Sequence, residues 1–478
     1  MNTLQAILNS LSNIMDAFGA SIVVPVVLFV ICLIMKVPLK KAFQSALNAG
    51  IGLIGFGLLI GAYTPIVTPA VQRMVDTTGI KLNILDTGWQ ATSVVAYSTE
   101  VGMIFLGLGL LLQIILFVAK VTNIFMPSDL WNNYSFMLWG SMLYVATGNM
   151  WLAITLMIVS NLYSLVFAEV LQKRWSTYYG YPGTTISAPH DVAAVPLALA
   201  MDWILNKLGA NKIKWNPENL QNKLGFLGEA TTLGLILGFI LGLAGNLTRL
   251  DTLAGWGEAA GVGVATAAVM AIFPKIGGIF ASAFTNITDA TRKTAKTAGG
   301  KQRQWYLAIN DAAGYGEPAT LLTGILLIPI IVILAIILPG NQALPMVDLI
   351  AIPYLLQAIV PISNGNIFKS VITGTIYFVT GLYLVTAVAP IFTEVATNVG
   401  VSLPAGAVMI FSLAVMTNLL LGILFLVFLT QSPIWIGLSI LVYIALYIVV
   451  RKKKQTIHDY MEMQALGEEY TPETTKAS

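Results

Sequence analysis

Cysteine is almost missing from this chain: Cys32 is the single one in 478 residues. One thiol excludes an intrachain disulfide, a cysteine-bound zinc site and an iron–sulfur cluster. Histidine is nearly as scarce, with only His190 and His458. Charge is scarce too, at 10% Asp, Glu, Lys and Arg, against about 25% in ordinary soluble domains. The net charge of +3 leaves no basic footprint for nucleic acid. No Walker P-loop is present, so ATP hydrolysis is not carried here, and no H-E-x-x-H or G-x-S-x-G motif points to a protease or esterase.

What fills the chain instead is apolar sequence, 57% of it. Segments 325–338 and 411–429 lie in runs long enough to cross a bilayer core of about 30 Å. The fold class expected is an all-α polytopic membrane protein. Eleven spans are expected, at about 19–35, 45–63, 99–119, 134–149, 151–171, 228–246, 257–273, 318–338, 366–389, 406–428 and 432–450. The stretch M-N-T-L-Q-A-I-L-N-S-L-S-N-I-M lacks a basic leader and reads as an amphipathic helix entering the first span. With the N-terminus outside, 21 of the Lys and Arg fall on inner segments, and Arg73, Lys81, Arg249 and Lys369 remain outside. That asymmetry sets the orientation, with the C-terminal tail 451–478 on the cytoplasmic side.

The spans divide into two halves, 1–171 and 228–428, joined by an inner connection 172–227 and followed by a last span at 429–450. Each half reads as two helices, a long Gly-containing loop and three helices. The halves start from opposite sides, so a structural relation between them is an inverted repeat, a common transporter architecture with substrate bound at broken segments. The broken, re-entrant segments expected are 83–98 (N-I-L-D-T-G-W-Q-A-T-S-V-V-A-Y-S) and 307–320 (L-A-I-N-D-A-A-G-Y-G-E-P-A-T). Irregular backbone at membrane depth is tolerated only inside protein or beside water, so such breaks line cavities. T-G-N-M-W at 147–151 and N-G-N-I-F at 364–368 look alike. In this topology both precede spans of the same direction, so the likeness is taken as chance.

The polar residues of these breaks are the candidate chemistry. Asp311, in a Gly-rich break, suits a carboxylate bonding substrate hydroxyls. Glu317 precedes Pro318 and serves equally as a helix N-cap. Trp89, Gln90 and Ser93 offer an aromatic face, an amide and a hydroxyl that suit a polyol, although an interfacial anchor explains the Trp as well. An aromatic belt accounts for Trp131 and Tyr134 and leaves Asn132 and Asn133 over. Glu229 reads as a helix N-terminal acid and His458 as a solvated tail residue. His190 and Asp191 sit in T-T-I-S-A-P-H-D-V-A-A-V-P at 184–196, where Pro189 breaks any preceding helix. A buried structural histidine is the plain alternative; the neighbouring Thr184, Thr185 and Ser187 favour a site that reads several hydroxyls.

Taken in order, D-T-G-W (86–89), W-N (131–132), A-T-G (146–148), P-H (189–190), G-E-A-T-T-L-G (228–234), Asp311, L-P-G-N-Q-A-L-P (338–345) and G-N-I-F (365–368) carry a resemblance. The chain resembles, over nearly its whole length, the membrane IIC permease of the bacterial sugar phosphotransferase system, galactitol type, in the ascorbate–galactitol superfamily. The resemblance implies a homodimer in the bacterial inner membrane. It implies a mobile core domain that carries sugar past a dimerisation domain in an elevator-type movement, and two inverted repeats. It implies galactitol or a similar alditol as substrate, phosphorylated on the inner side by a partner IIB that IIA supplies. Substrate contacts are implied at His190, Asp191 and Asp311, with others near Trp89. The pattern departs at Asp191, where a Gly often follows the His, and at Ser135 and Glu317, where some members carry His. The substrate set expected is thus His190, Asp191, Asp311, Trp89, Gln90, Ser93, Asn132, Ser135 and Glu317, with no catalytic residue, cofactor or metal. Neither Cys32 nor His458 is placed to carry phosphate, and Arg292, Lys293, Lys296, Lys301 and Arg303 suit docking of an acidic partner face. The rival reading is an ion-coupled sugar or polyol symporter, with Asp191, Asp311 or Glu317 as coupling acids. A membrane-embedded enzyme using His190 and Asp191 lacks a nucleophile.

Overall fold

Apolar runs of this length satisfy their backbone polar groups internally as helices. The computed structural model describes residues 20–466, apart from 35, 78–81, 127–129, 298–303, 402 and 404–406. Among these, seven helices are long and apolar enough to cross a membrane: Leu39–Asp76, Glu100–Val118, Met150–Tyr179, Leu253–Phe280, Pro318–Ile337, Ile367–Asn398 and Pro433–Ala465. Shorter apolar stretches are Ala230–Gly245, Val347–Ile362 and Leu419–Leu429. The amphipathic segment expected over 1–15, and Lys301 and Arg303, lie outside the described residues, as do the side chains of Arg292, Lys293 and Lys296.

The helices Ala20–Ile34, Leu39–Asp76, Ala230–Gly245 and Leu253–Thr297 pack on one another as one bundle. Backbones there come close enough to require glycine: a Cβ on Gly245 would lie 2.2 Å from the carbonyl oxygen of Ala70. The remaining helices surround four broken segments, each of which begins with a short strand.

Those strands form two parallel three-stranded sheets. In one, β1 (Ile84–Asp86) lies between β5 (Ala343–Leu344) and β6 (Met409–Phe411), with Ile84 opposite both Ala343 and Met409. In the other, β4 (Tyr306–Ala308) lies between β2 (Ile124–Phe125) and β3 (Thr184–Thr185), with Leu307 opposite both Phe125 and Thr184. The ladders satisfy N–H and C=O groups that no helix satisfies and that water cannot reach. The first sheet takes its central strand from the first half and both edges from the second, and the second sheet takes its central strand from the second half, one edge from the first half and the other from the connection 172–227.

The sheets correct the expected topology at one place. The span expected at 406–428 is not one helix: β6 turns at Ser412 into the short helix Leu413–Met416, and Leu419–Leu429 follows. Pairing with β1 puts its start on the same side as residue 84. Val347–Ile362, expected in a loop, is an apolar helical stretch instead. Lys369 was expected across the membrane from the 172–227 connection, yet its Nζ lies 2.5 Å from Asp202 Oδ1. Arg174 bonds the Pro361 carbonyl at 2.9 Å and Asn364 Oδ1 at 2.6 Å. Residues 361–369 therefore share a side with 174 and 202. Asp348 and the prolines at 353 and 361 interrupt the apolar signal of this stretch. The apolar residues of 406–428 imitated a span because they are buried in protein.

T-G-N-M-W and N-G-N-I-F, taken above as a chance likeness, adopt the same local form. Gly148 and Gly365 both hold left-handed backbone, with φ of 67° and 68°. Asn149 and Asn366 both cap the helix that follows, accepting from Leu152 N and Lys369 N. They start the helices Met150–Tyr179 and Ile367–Asn398.

The tail is also more built than expected. The last helix runs unbroken through Pro433–Leu466. His458, expected in solvent, is buried and donates from Nε2 to the Glu169 carbonyl at 3.0 Å. Lys454 meets Glu169 Oε2 at 3.0 Å, and Glu462 meets buried Arg174 at 3.4 Å. The helix returns its charged end onto Met150–Tyr179, which covers the histidine. Glu229 stands at the N-cap of Ala230–Gly245 without a side-chain cap bond, which fits a helix N-terminal acid.

Candidate functional site

The four broken segments end at one cavity of about 170 Å³. Trp89 enters from the segment after β1, His190 from that after β3, Asn310 and Asp311 from that after β4, and Ala414 and Val415 from that after β6. Tyr134, Ala351, Tyr354 and Leu355 complete the wall. Aromatic and aliphatic faces with a few convergent polar groups are the usual make-up of a small-ligand site.

His190 is fixed by its turn. Pro189 occupies the first position of the helix Pro189–Val192, where its missing N–H costs nothing. The imidazole Nε2 lies 2.8 Å from Asp311 Oδ2 and 3.8 Å from Asp191 Oδ2. Asp311 opens the 3₁₀ turn Asp311–Ala313, which Asn310 caps by accepting from Ala312 N. Gln357 donates from its amide to the Asp311 carbonyl. Asp191 is fully buried behind His190 and is not on the cavity wall.

Trp89 is held from both sides of its peptide. Its N–H donates to Asp348 Oδ1 at 3.1 Å, and its carbonyl accepts from Tyr134 Oη at 2.7 Å. Asp348 also accepts from Ala414 N and Ser412 Oγ, at 3.0 and 2.5 Å. Asp86 accepts four backbone N–H groups, from Gly88, Met346, Asp348 and Leu413, at 2.8–3.3 Å. Three chain segments leave the β5–β1–β6 sheet here with unpaired donors. The side-chain oxygens of two buried acids satisfy them.

The other expected site residues distribute as follows. Glu317 does not reach this cavity. It caps the helix Pro318–Ile337, accepting from Ala319 N, Thr320 N, Thr320 Oγ1 and Tyr178 Oη, and it lines a second cavity with Tyr179, Tyr181 and Phe273. Ser93 is half-buried, one turn past Trp89, and off the cavity wall. Ser135 is buried beside Tyr134, and its hydroxyl has no hydrogen-bond partner among the described residues. The side chains of Gln90 and Asn132 lie outside the described residues. Sequence reasoning missed Tyr354, Asp348 and the 412–415 turn. An acid such as Asp348 inside an apolar run is itself a signal, because intramembrane carboxylates rarely serve nothing.

The arrangement can present a donor–acceptor pair, His190 and Asp311, to hydroxyls, with Trp89, Tyr134 and Tyr354 as faces for C–H groups. Ligand-type atoms of His190, Asp191 and Asp311 also lie within 4.8 Å of one another, close enough to share a cation. The 2.8 Å contact already satisfies the His190–Asp311 pair by a hydrogen bond, with no ion required.

A family model described as the sugar-specific permease component of the PTS system, EIIC-GAT, matches residues 13–406. A putative permease IIC component of Escherichia coli K12 is 30% identical over 400 residues, covering 84% of this chain and 90% of that protein. The PTS system galactitol-specific EIIC component of Escherichia coli K12 is 26% identical over 391 residues, covering 81% of this chain and 84% of that protein.

Proposed function

We propose that this chain, which belongs to the EIIC-GAT family of sugar-specific permease components of the phosphotransferase system, binds galactitol or a similar alditol in the cavity of Trp89, His190 and Asp311. The family role is that of the membrane transport subunit, not of a phosphoryl-transfer enzyme. The alditol hydroxyls exchange hydrogen bonds with His190 Nε2 and the Asp311 carboxylate, and its carbon chain lies against Trp89. Asp191 acts from behind, through His190. A partner IIB phosphorylates the sugar on the inner side, after which it cannot return. The observation that carries the reading is the convergence of His190 and Asp311, 121 residues apart, to 2.8 Å at the ends of two broken segments.

Two bodies of the fold support an elevator-type movement of the sugar. The bundle of Ala20–Ile34, Leu39–Asp76, Ala230–Gly245 and Leu253–Thr297 serves as the dimerisation part of a homodimer. The body with the four broken segments moves past it. Exchange of central strands between the two sheets supports an inverted repeat, as does recurrence of the Gly–Asn cap. The basic bias supports an N-terminus outside and a tail inside, and the contact of Lys369 with Asp202 in the connection supports counting Lys369 with the inner residues.

The test uses purified protein in liposomes, a panel of alditols and hexoses, and IIB with or without its phosphoryl group. Uptake as sugar phosphate that depends on phosphorylated IIB is expected. Accumulation that follows an imposed ion gradient without IIB overturns the proposal.

A further inference from the structure

The connection between the two halves carries apolar side chains where a water-facing loop would carry polar ones. The helix Val195–Lys207 buries Val195, Ala198, Asp202 and Leu205 against the protein. Its opposite face, with Ala200, Trp203 and Ile204, is exposed and apolar. Beyond it Leu208 is 77% and Phe226 71% exposed, and Trp215 and Leu227 are exposed as well. Lysines are interleaved with them: Lys207, Lys212, Lys214 and Lys223 are all exposed, against the single acid Glu218 between 203 and 228.

We infer that residues 203–227 form a membrane-surface seat that recognises the anionic headgroups of the inner leaflet. Exposed Trp and Phe beside Lys match the interface of a bilayer, where rings sit at headgroup level and lysines reach phosphates. Lys207 Nζ stands 3.7 Å from the centre of the Trp203 ring, which puts a cation and an amphipathic ring at one depth. The excess of positive charge selects an anionic surface over a zwitterionic one. The seat is not a loose arm. The Trp215 carbonyl accepts from Ile367 N at 2.7 Å, and the Ile213 carbonyl accepts from Asn366 Nδ2 at 2.5 Å. The Trp215 ring meets Phe368 edge-on at 6.0 Å. The lipid contact is thereby fastened to the start of Ile367–Asn398, in the body that holds the cavity.

The test uses the full chain with Cys32→Ala and a single cysteine at Leu208 or Phe226, spin-labelled in nanodiscs of phosphatidylcholine with or without phosphatidylglycerol. Retained alditol binding checks the fold of each variant. The labels are expected to relax more with oxygen than with a water-soluble nickel chelate. The oxygen-to-nickel ratio is expected to rise several-fold with phosphatidylglycerol, and the combined K207Q, K212Q, K214Q and K223Q variant to lose that rise. Labels dominated by nickel in both lipids overturn the inference and leave the patch free for a protein partner. A ratio that favours oxygen but ignores phosphatidylglycerol and the lysines overturns the anionic recognition.

Discussion

At the scale of single residues, the site separates groups that face the cavity from groups that hold them. His190 and Asp311 face the cavity, and Asp348 holds Trp89 by its peptide N–H. Removing a charge-assisted hydrogen bond costs about 1.5–3 kcal/mol, roughly ten- to a hundredfold in affinity. His190→Ala is expected to weaken alditol binding by that range and, because it breaks the contact with Asp311 beside the buried Asp191, to lower the thermal midpoint as well. Asp348→Asn replaces one of the two oxygens that accept from Trp89 N, Ala414 N and Ser412 Oγ with an amide donor. It is expected to lower affinity and thermal midpoint together, which paired calorimetry and unfolding scans check. The His190–Asp311 pairing was legible in part: both residues stood out as polar groups in apolar, broken sequence. Their contact was not, because nothing local relates positions 121 residues apart.

At the scale of elements, two glycines test the recurrence of one device. Gly148 and Gly365 share the left-handed region, which costs a residue with a Cβ about 1–2 kcal/mol. A Cβ at Gly148 would meet open space, whereas one at Gly365 would lie 2.7 Å from the Tyr178 hydroxyl. Gly148→Ala is expected to show the backbone cost alone and Gly365→Ala more than that, measured as the difference in thermal stability in detergent. Asn366→Ala is expected to cost about 0.5–2 kcal/mol as a lost N-cap, with the Asn366–Ile213 bond lost besides. Helices were legible where apolar length alone decides, as in Pro318–Ile337. The strands were not, because two or three residues that pair with partners 123 to 325 positions away carry no periodicity of their own. The segment 406–428 looked like a span for the same reason: hydropathy reports burial, and burial in protein resembles burial in lipid.

For the whole molecule, the sidedness of residue 369 and the course of 347–429 decide how many times the chain crosses. With Val347–Ile362 as a pass and β6 paired to β1, the end of Ile367–Asn398 emerges on the side of residue 84. A Thr397→Cys variant lacking Cys32 is expected to react with an impermeant thiol reagent from outside intact cells, and a Lys212→Cys variant only in inverted vesicles. Class and membrane character were legible in composition, since 10% charge leaves few alternatives. The sharing of strands between halves was legible only in three dimensions. The cavity where four broken segments meet carries the proposed function. The measurement that tests it most directly is calorimetric titration of galactitol into the purified permease, His190→Ala and Asp311→Asn. Saturable heat in the parent chain, weakened tenfold or more in both variants, is the result predicted. Equal affinity in all three would contradict it and move the sugar site elsewhere in the molecule.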